Sequence, residues 1–171
     1  MRDEAKHPWI KEGVVVPRAV MNRVLDEARA AYGRDEEACG FLVGPAADPL
    51  TVTSAVTMEN RANKLHKLDP ETYPRTGRMY FDIDPLKFSR AIAQGEAAGE
   101  PVKVLYHSHL DAGAYFSETD AAAALMGGDE PAYDLAHLVV SVRDGVVDDS
   151  RLFVWDVGGR AFVEGKLVLS E

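Results

Sequence analysis

Two histidines one residue apart, His107 and His109, close an apolar run that begins at Val102. A strand carries residues i and i+2 on one face, about 6.5–7 Å apart, so both imidazoles project to the same side. Seven residues later comes Ser117, followed by Glu118-Thr119-Asp120. Ser117-x-x-Asp120 fits a helix-capping box, which puts Asp120 in the first turn of a helix, where the dipole favours a carboxylate. Two imidazoles and one carboxylate make three protein ligands for zinc. They leave the fourth tetrahedral position open, which is the catalytic type of site. Capping and ligation are compatible, because a cap fixes where the aspartate sits. Upstream, Glu37 precedes Cys39-Gly40 at the start of an early strand; on its own it reads as an ordinary exposed glutamate beside Glu36.

The rest of the chain predicts an α+β fold. Val20, Met21, Val24, Leu25, Ala28 and Tyr32 recur at helical spacing, predicting a helix over Pro17–Tyr32 with Gly33 as its cap. Strands are expected over Cys39–Val43 and Leu50–Thr57, turning at Gly44–Pro49. Glu59–Arg78 is polar and holds two prolines, so it reads as a long loop, of the kind that is usually functional or mobile. A strand is expected over Met79–Ile83, and Asp84-Pro85 opens a second helix running to about Ala98. Val102–Tyr106 reads as a central strand and Ser117–Met126 as a short helix. Three strands follow, Leu135–Val142, Leu152–Val157 and Ala161–Leu169, the last pair turning at Gly158-Gly159. Strands outnumber helices and are joined mostly by tight turns. This implies one domain, 1–171, with a curved mixed sheet and flanking helices. No glycine-rich βα turn supports dinucleotide binding.

Composition excludes several classes. With 46% hydrophobic and 27% charged residues among 171, the chain is an ordinary folded protein. Nineteen Lys+Arg against 28 Asp+Glu give a net charge of -9, which opposes binding to phosphate backbones. One cysteine, Cys39, forbids an intrachain disulfide and fits a reducing compartment. Uncharged runs such as Ala38–Ala47 span only ten residues, too few for a membrane helix. Met1–Glu4 opens no apolar signal segment, and the expected setting is cytoplasmic.

His107-Ser108-His109, Ser117 and Asp120, with Glu37 ahead of Cys39-Gly40, resemble the JAMM (MPN+) zinc metallopeptidases. The resemblance begins at the helix before Glu37 and continues through Glu59-Asn60, the Phe81–Pro85 stretch and the strand Leu135–Val142. It implies the cytidine-deaminase-like JAMM/MPN fold, with His107, His109 and Asp120 as ligands of Zn2+. It further implies Glu37 as the general base that deprotonates the attacking water and then protonates the leaving amine. Ser117 would be the donor to the oxyanion, and Ser108 need have no direct role. Many members carry proline after the second histidine; here Leu110-Asp111 follow, which bears on the loop conformation and not on the ligand set.

Members of this family cut amide or isopeptide bonds after the C-terminal glycine of ubiquitin or a ubiquitin-like protein. Small bacterial members release cysteine from, or trim an extension of, a sulfur-carrier protein. The compact chain and the short Gly127–Asp134 segment favour that last type. The expected partner is therefore a ubiquitin-like or sulfur-carrier protein with a glycine tail, with no nucleic acid and no membrane; the oligomeric state is left open. The alternatives are a bacterial deconjugase of a ubiquitin-like modifier, as in antiviral defence, and a non-catalytic scaffold of the same fold. A DNA-repair relative is disfavoured by Leu110-Asp111-Ala112 and by the acidic charge. Elsewhere, Cys39, Trp9 and Trp155 read as packing residues. His7, His66 and His137 lack partners at ligand spacing, and Arg61, Lys64 and Lys67 read as a solvated face.

Overall fold

The structure, a computed structural model, describes residues 12–171. His7, Trp9 and the Met1–Glu4 start lie outside the described residues. After β1 (Val14–Pro17), the apolar stripe of α1 (Arg18–Gly33) buries Val20, Met21, Val24, Ala28 and Ala31. Pro17 ends β1 and caps the helix, so α1 starts one residue later than predicted; Gly33 lies in its last turn and Arg34 is the cap.

The sheet is built from β2 (Cys39–Val43), β3 (Ser54–Met58), β4 (Val102–Leu110), β5 (Ala136–Arg143), β6 (Val146–Asp156) and β7 (Ala161–Gly165), in the order β3-β2-β4-β5-β6-β7. All neighbours are antiparallel except β4 and β5. A parallel pair needs a crossover, and that crossover carries α4 (Glu118–Leu125) over the sheet. All nine residues of β4 are buried, because β4 is central and both its faces are covered.

Alternation divides the core. Leu42, Val104, Tyr106, Leu138 and Val140 pack on the α1 side. Cys39, Phe41, Leu105 and Leu135 pack on the other, with Phe88 and Ile92 of α3 (Pro85–Ala97). Gly40 is needed where it stands: a Cβ there would lie 2.6 Å from the Tyr106 hydroxyl and 2.2 Å from the Val56 carbonyl oxygen. The same period puts His107 and His109 on the α3 side, along with His137 of β5. The mixed α+β sheet with flanking helices is thus as expected. Cys39 and Trp155 are buried, as packing residues should be. Among the described residues no helix is long and apolar enough to cross a membrane.

Local expectations are corrected at several points, among them the strand expected from Leu152, which starts at Val146. The 59–78 segment holds a helix, α2 (Ala62–Leu68), whose first amide donates to the Asn60 side chain. Met79–Ile83 is not a strand: its polar backbone bonds to Asn60 and Arg61 instead of to a neighbouring strand. The second hairpin strand begins at Ser54 and not at Leu50, and Thr51 makes only an isolated bridge to Val15. Ala161–Leu169 is two strands, because the chain leaves β7 and forms β8 (Leu167–Ser170) beside β1. The central strand also runs past Tyr106 to Leu110, so both histidines sit inside it.

Candidate metal centre

Three acceptor atoms meet above β4. The Nε2 atoms of His107 and His109 lie 3.2 Å apart, and Asp120 Oδ2 is 3.1 Å from the first and 3.3 Å from the second. Each residue is held in place by the chain around it. His109 Nδ1 bonds to the Gly113 carbonyl at 2.8 Å, which fixes Nδ1 as the protonated nitrogen and leaves the Nε2 lone pair facing the centre. Gly113 takes φ +92 there, a conformation that favours glycine. His107 is stacked on Phe81 at a centroid distance of 4.7 Å. Asp120 is locked by the capping box: its amide donates to Ser117 Oγ and its Oδ2 accepts from the Ser117 amide, both at 3.0 Å. Ser117 thereby uses an acceptor site of its hydroxyl and keeps the O–H proton available.

Glu37 completes the group. It is 4% exposed, and its carboxylate lies within 4.8 Å of the two imidazoles. Its main chain is pinned by the Gly77 carbonyl, which accepts from Glu37 N at 2.6 Å, and by Asn60 Nδ2, which donates to Glu37 O at 3.0 Å. The next amide, Ala38 N, donates to Ser108 Oγ at 2.7 Å, while Ser108 N donates to Ala38 O. Ser108 thus ties the Glu37 segment to the ligand strand, a role the sequence did not disclose. Asn60 also went unassigned, although Glu59-Asn60 belongs to the stretch that carries the resemblance.

The electrostatics follow from burial. Burial, and then the neighbouring Asp120 carboxylate, push the Glu37 carboxyl well above its ordinary range. Burial alone would raise Asp120 too, but the two imidazoles beside it and the Ser117 amide hold it far below the usual carboxylate range. His107 is lowered by burial against the pull of Asp120. Three acceptor atoms packed this closely in a dry site repel one another unless protons or a cation sit among them. Ligands about 2.0–2.1 Å from a tetrahedral zinc lie about 3.3–3.4 Å from one another, so the observed 3.1–3.3 Å spacing fits such an ion. The donor set, two imidazoles and a carboxylate, is one that zinc accepts. Glu37 offers a further oxygen within 4.8 Å of both imidazoles, a position from which it reaches an ion there directly or through one water.

The structure therefore brings Glu37, His107, His109, Ser117 and Asp120 into one locality. Asp111 points elsewhere: its carboxylate accepts from Tyr32, Arg78 and the Asp144 amide. His66 bonds to the Tyr73 carbonyl, Arg61 pairs with Asp82 and Asp84, and Lys64 pairs with Glu59. His137 is buried beside Phe116 on the same face as the ligands.

Comparison with solved structures finds the same fold in many chains, among them three prokaryotic proteins. The solution structure of a Desulfitobacterium hafniense protein superposes with a TM-score of 0.62 at 22% identity, covering 92% of this chain and 93% of that one. A Salinibacter ruber protein, also solved in solution, gives 0.60 at 22% identity, with 92% of each chain covered. The crystal structure of a JAB1/MPN domain protein from Archaeoglobus fulgidus gives 0.52 at 16% identity, covering 92% of this chain and all of that one. Comparison with curated proteins finds no match. The family described as prokaryotic homologues of the JAB domain matches residues 17–155, the span that holds Glu37, both histidines, Ser117 and Asp120. With most of its length matched by that family and the JAB1/MPN fold shared with a solved structure, this chain belongs to the prokaryotic JAB domain family.

Proposed function

We propose that the protein is a zinc metallopeptidase that hydrolyses an amide or isopeptide bond after the C-terminal glycine of a ubiquitin-like or sulfur-carrier protein. The observation that carries this reading is the near-equilateral triangle of His107 Nε2, His109 Nε2 and Asp120 Oδ2, with the buried Glu37 carboxyl beside it. His107, His109 and Asp120 would hold the ion. Zinc bound there supplies Lewis acidity toward the amide and makes hydroxide accessible near neutral pH.

Glu37 takes a proton from the attacking water as its oxygen adds to the carbonyl carbon. It returns that proton to the amide nitrogen as the C–N bond breaks, giving a carboxylate and a free amine. A carboxyl pushed upward by burial is a stronger base than an exposed glutamate, which suits this task. The Ser117 hydroxyl donates to the carbonyl oxygen as charge builds on it. A flexible glycine tail entering in extended form gains main-chain hydrogen bonds on its way to the centre. A reducing, cytoplasmic setting agrees with the single free Cys39.

The test pairs metal analysis with mass spectrometry of three substrates, a carrier ending in glycine–cysteine, a carrier with a longer C-terminal extension after its glycine, and a carrier–lysine isopeptide. The wild type should hold stoichiometric zinc and release the amine from at least one of them. Glu37→Ala should keep zinc and lose hydrolysis, whereas His107→Ala should lose both. Full hydrolysis by Glu37→Ala would remove the assigned base. Stoichiometric zinc without any hydrolysis would leave a metal-binding scaffold.

A further inference from the structure

A cleft of about 310 Å3 opens beside the ligand set and shares His107 and Asp120 with it as walls. Its remaining surface comes from α3, α4, β4, β5 and the extended 80–83 segment, and it is mostly apolar: Phe88, Leu105, Phe116, Ala124, Tyr133 and Leu135 face it. The aromatic side is already well packed, with Phe88 against Tyr133 at 4.8 Å. At the mouth stands Met126, 66% exposed, a flexible thioether that adapts to what enters. This is the composition of a ligand pocket, apolar walls with a few polar groups, and it is roomy enough for an aromatic side chain.

Resting on the peptidase reading, we infer that this cleft receives the side chain of the residue that follows the scissile bond, and that this residue is large and apolar, such as phenylalanine or leucine. The acyl-side glycine of that reading has no side chain to place there. A residue two positions further back along an extended tail lies about 7 Å away, whereas the cleft begins at the ligands themselves. Lysine suits it poorly. The walls are mostly apolar, and their two carboxylates already take part in bonds, Asp82 Oδ1 accepting twice from Arg61 at 2.7 and 2.9 Å and Asp120 Oδ2 from the Ser117 amide, so a buried ammonium would find little compensation for its lost water. Cysteine would leave most of the volume unfilled. The released group is thus an extension that begins with a bulky apolar residue: water adds to the glycine carbonyl carbon, the glycine–residue C–N bond breaks, and the extension leaves with a free amino terminus.

Two measurements test this separately from hydrolysis itself. Saturation-transfer NMR with phenylalanine amide, alanine amide and lysine amide reads the cleft alone. Phenylalanine amide should bind at least roughly 10-fold more tightly than the other two, as burial of a large apolar side chain requires. Ala124→Trp and Ala123→Trp fill the cleft from the accessible side of α4 and should each abolish that binding while zinc content is kept. Peptides acetyl-Gly-Gly-X-amide, with X as Phe, Leu, Ala, Cys or Lys, then read kcat/KM on the zinc-loaded wild type. Phe and Leu should exceed Ala, Cys and Lys by roughly 10- to 100-fold. Equal binding of the three amides, binding unchanged in both tryptophan variants, or fastest cleavage at Cys, Lys or Ala overturns the inference. Should no peptide be cut while phenylalanine amide binds and both variants abolish it, the peptidase reading fails and the apolar side-chain site stands.

Discussion

Asn60 is the side chain on which the position of Glu37 most depends. Its amide makes four hydrogen bonds, all at 3.0 Å: Nδ2 donates to Glu37 O and Tyr80 O, and Oδ1 accepts from Ala62 N and Asp82 N. Asn60→Ala removes all four at once. Two of the orphaned groups, Glu37 O and Ala62 N, belong to buried residues, and each buried orphan costs about 1–3 kcal/mol. The other two are partly exposed and recover water. Allowing for solvent in the vacated space, the loss is about 3–5 kcal/mol, or a Tm lower by about 6–20 °C for a chain of this size. The ligands on β4 and α4 keep their own supports, so zinc content should persist while kcat falls. Asn60→Asp separates shape from hydrogen bonding. An ionised carboxylate faces two carbonyl oxygens with nothing to donate, so its folded pKa lies above the unfolded value of about 3.9. The folded state then holds the proton longer, and stability falls as pH rises through and above that value. Thermal denaturation across pH 4–8, with zinc analysis and a hydrolysis assay, reads all three effects. A Tm change below about 2 °C in Asn60→Ala, or a flat pH dependence in Asn60→Asp, would refute the reasoning.

Other perturbations follow from single contacts. Ser117→Ala should slow hydrolysis by about 10²–10³ if its hydroxyl meets the oxyanion, and should lower stability by about 1 kcal/mol through the lost cap; a melt and a rate measured on the same sample separate the two. Lys103 is buried and its Nζ donates to the carbonyls of Pro45, Asp48 and Thr51 at 2.8, 2.6 and 2.7 Å, closing the β2–β3 turn. Lys103→Met should cost about 1–3 kcal/mol, seen as a lower urea midpoint. His137 is pushed down to about 3 by burial and then by the nearby His107. The unfolded chain, with a histidine near 6.5, takes up that proton first, so stability should fall by about 1.4 kcal/mol per pH unit below about 6.5. His137→Met should flatten that acid limb in denaturant titrations, and an unchanged slope would exclude His137 as its source.

What was legible in the sequence is what short spacing encodes. The strand period sends His107 and His109 to one face, Ser117 and Asp120 form the expected capping box, and Asp84 caps α3 by accepting from Leu86 N and Lys87 N. β2 has the predicted bounds because its apolar run ends at Gly44-Pro45. The failures are long-range. Met79–Ile83 has the composition of a strand, yet the Asn60 side chain and the Arg61 amide take its backbone groups before a strand can. The β1–β8 pair joins positions 14–17 to 167–170, and no local pattern announces a partner so distant. The cleft beside the ligands is formed where α3, α4 and the 80–83 segment converge, so it belongs to no contiguous stretch.

The replacement of a stiffening proline by Leu110-Asp111 finds its answer in such a long-range arrangement. Asp111 takes φ +56, a turn conformation that aspartate tolerates better than most side chains. Its carboxylate accepts from the Asp144 amide at 2.9 Å, from the Tyr32 hydroxyl at 3.1 Å and from Arg78 Nη2 at 2.9 Å. Those bonds, the Asp144 amide foremost, lower its pKa. Arg78 also reaches Asp35, two residues before Glu37, while the adjacent Gly77 carbonyl accepts from Glu37 N. One arginine thereby links the turn after His109 to the segment that carries the candidate base. A proline would stiffen that turn alone. The ionic bridge instead joins that turn to the segment just before Glu37, two stretches that each carry a candidate site residue.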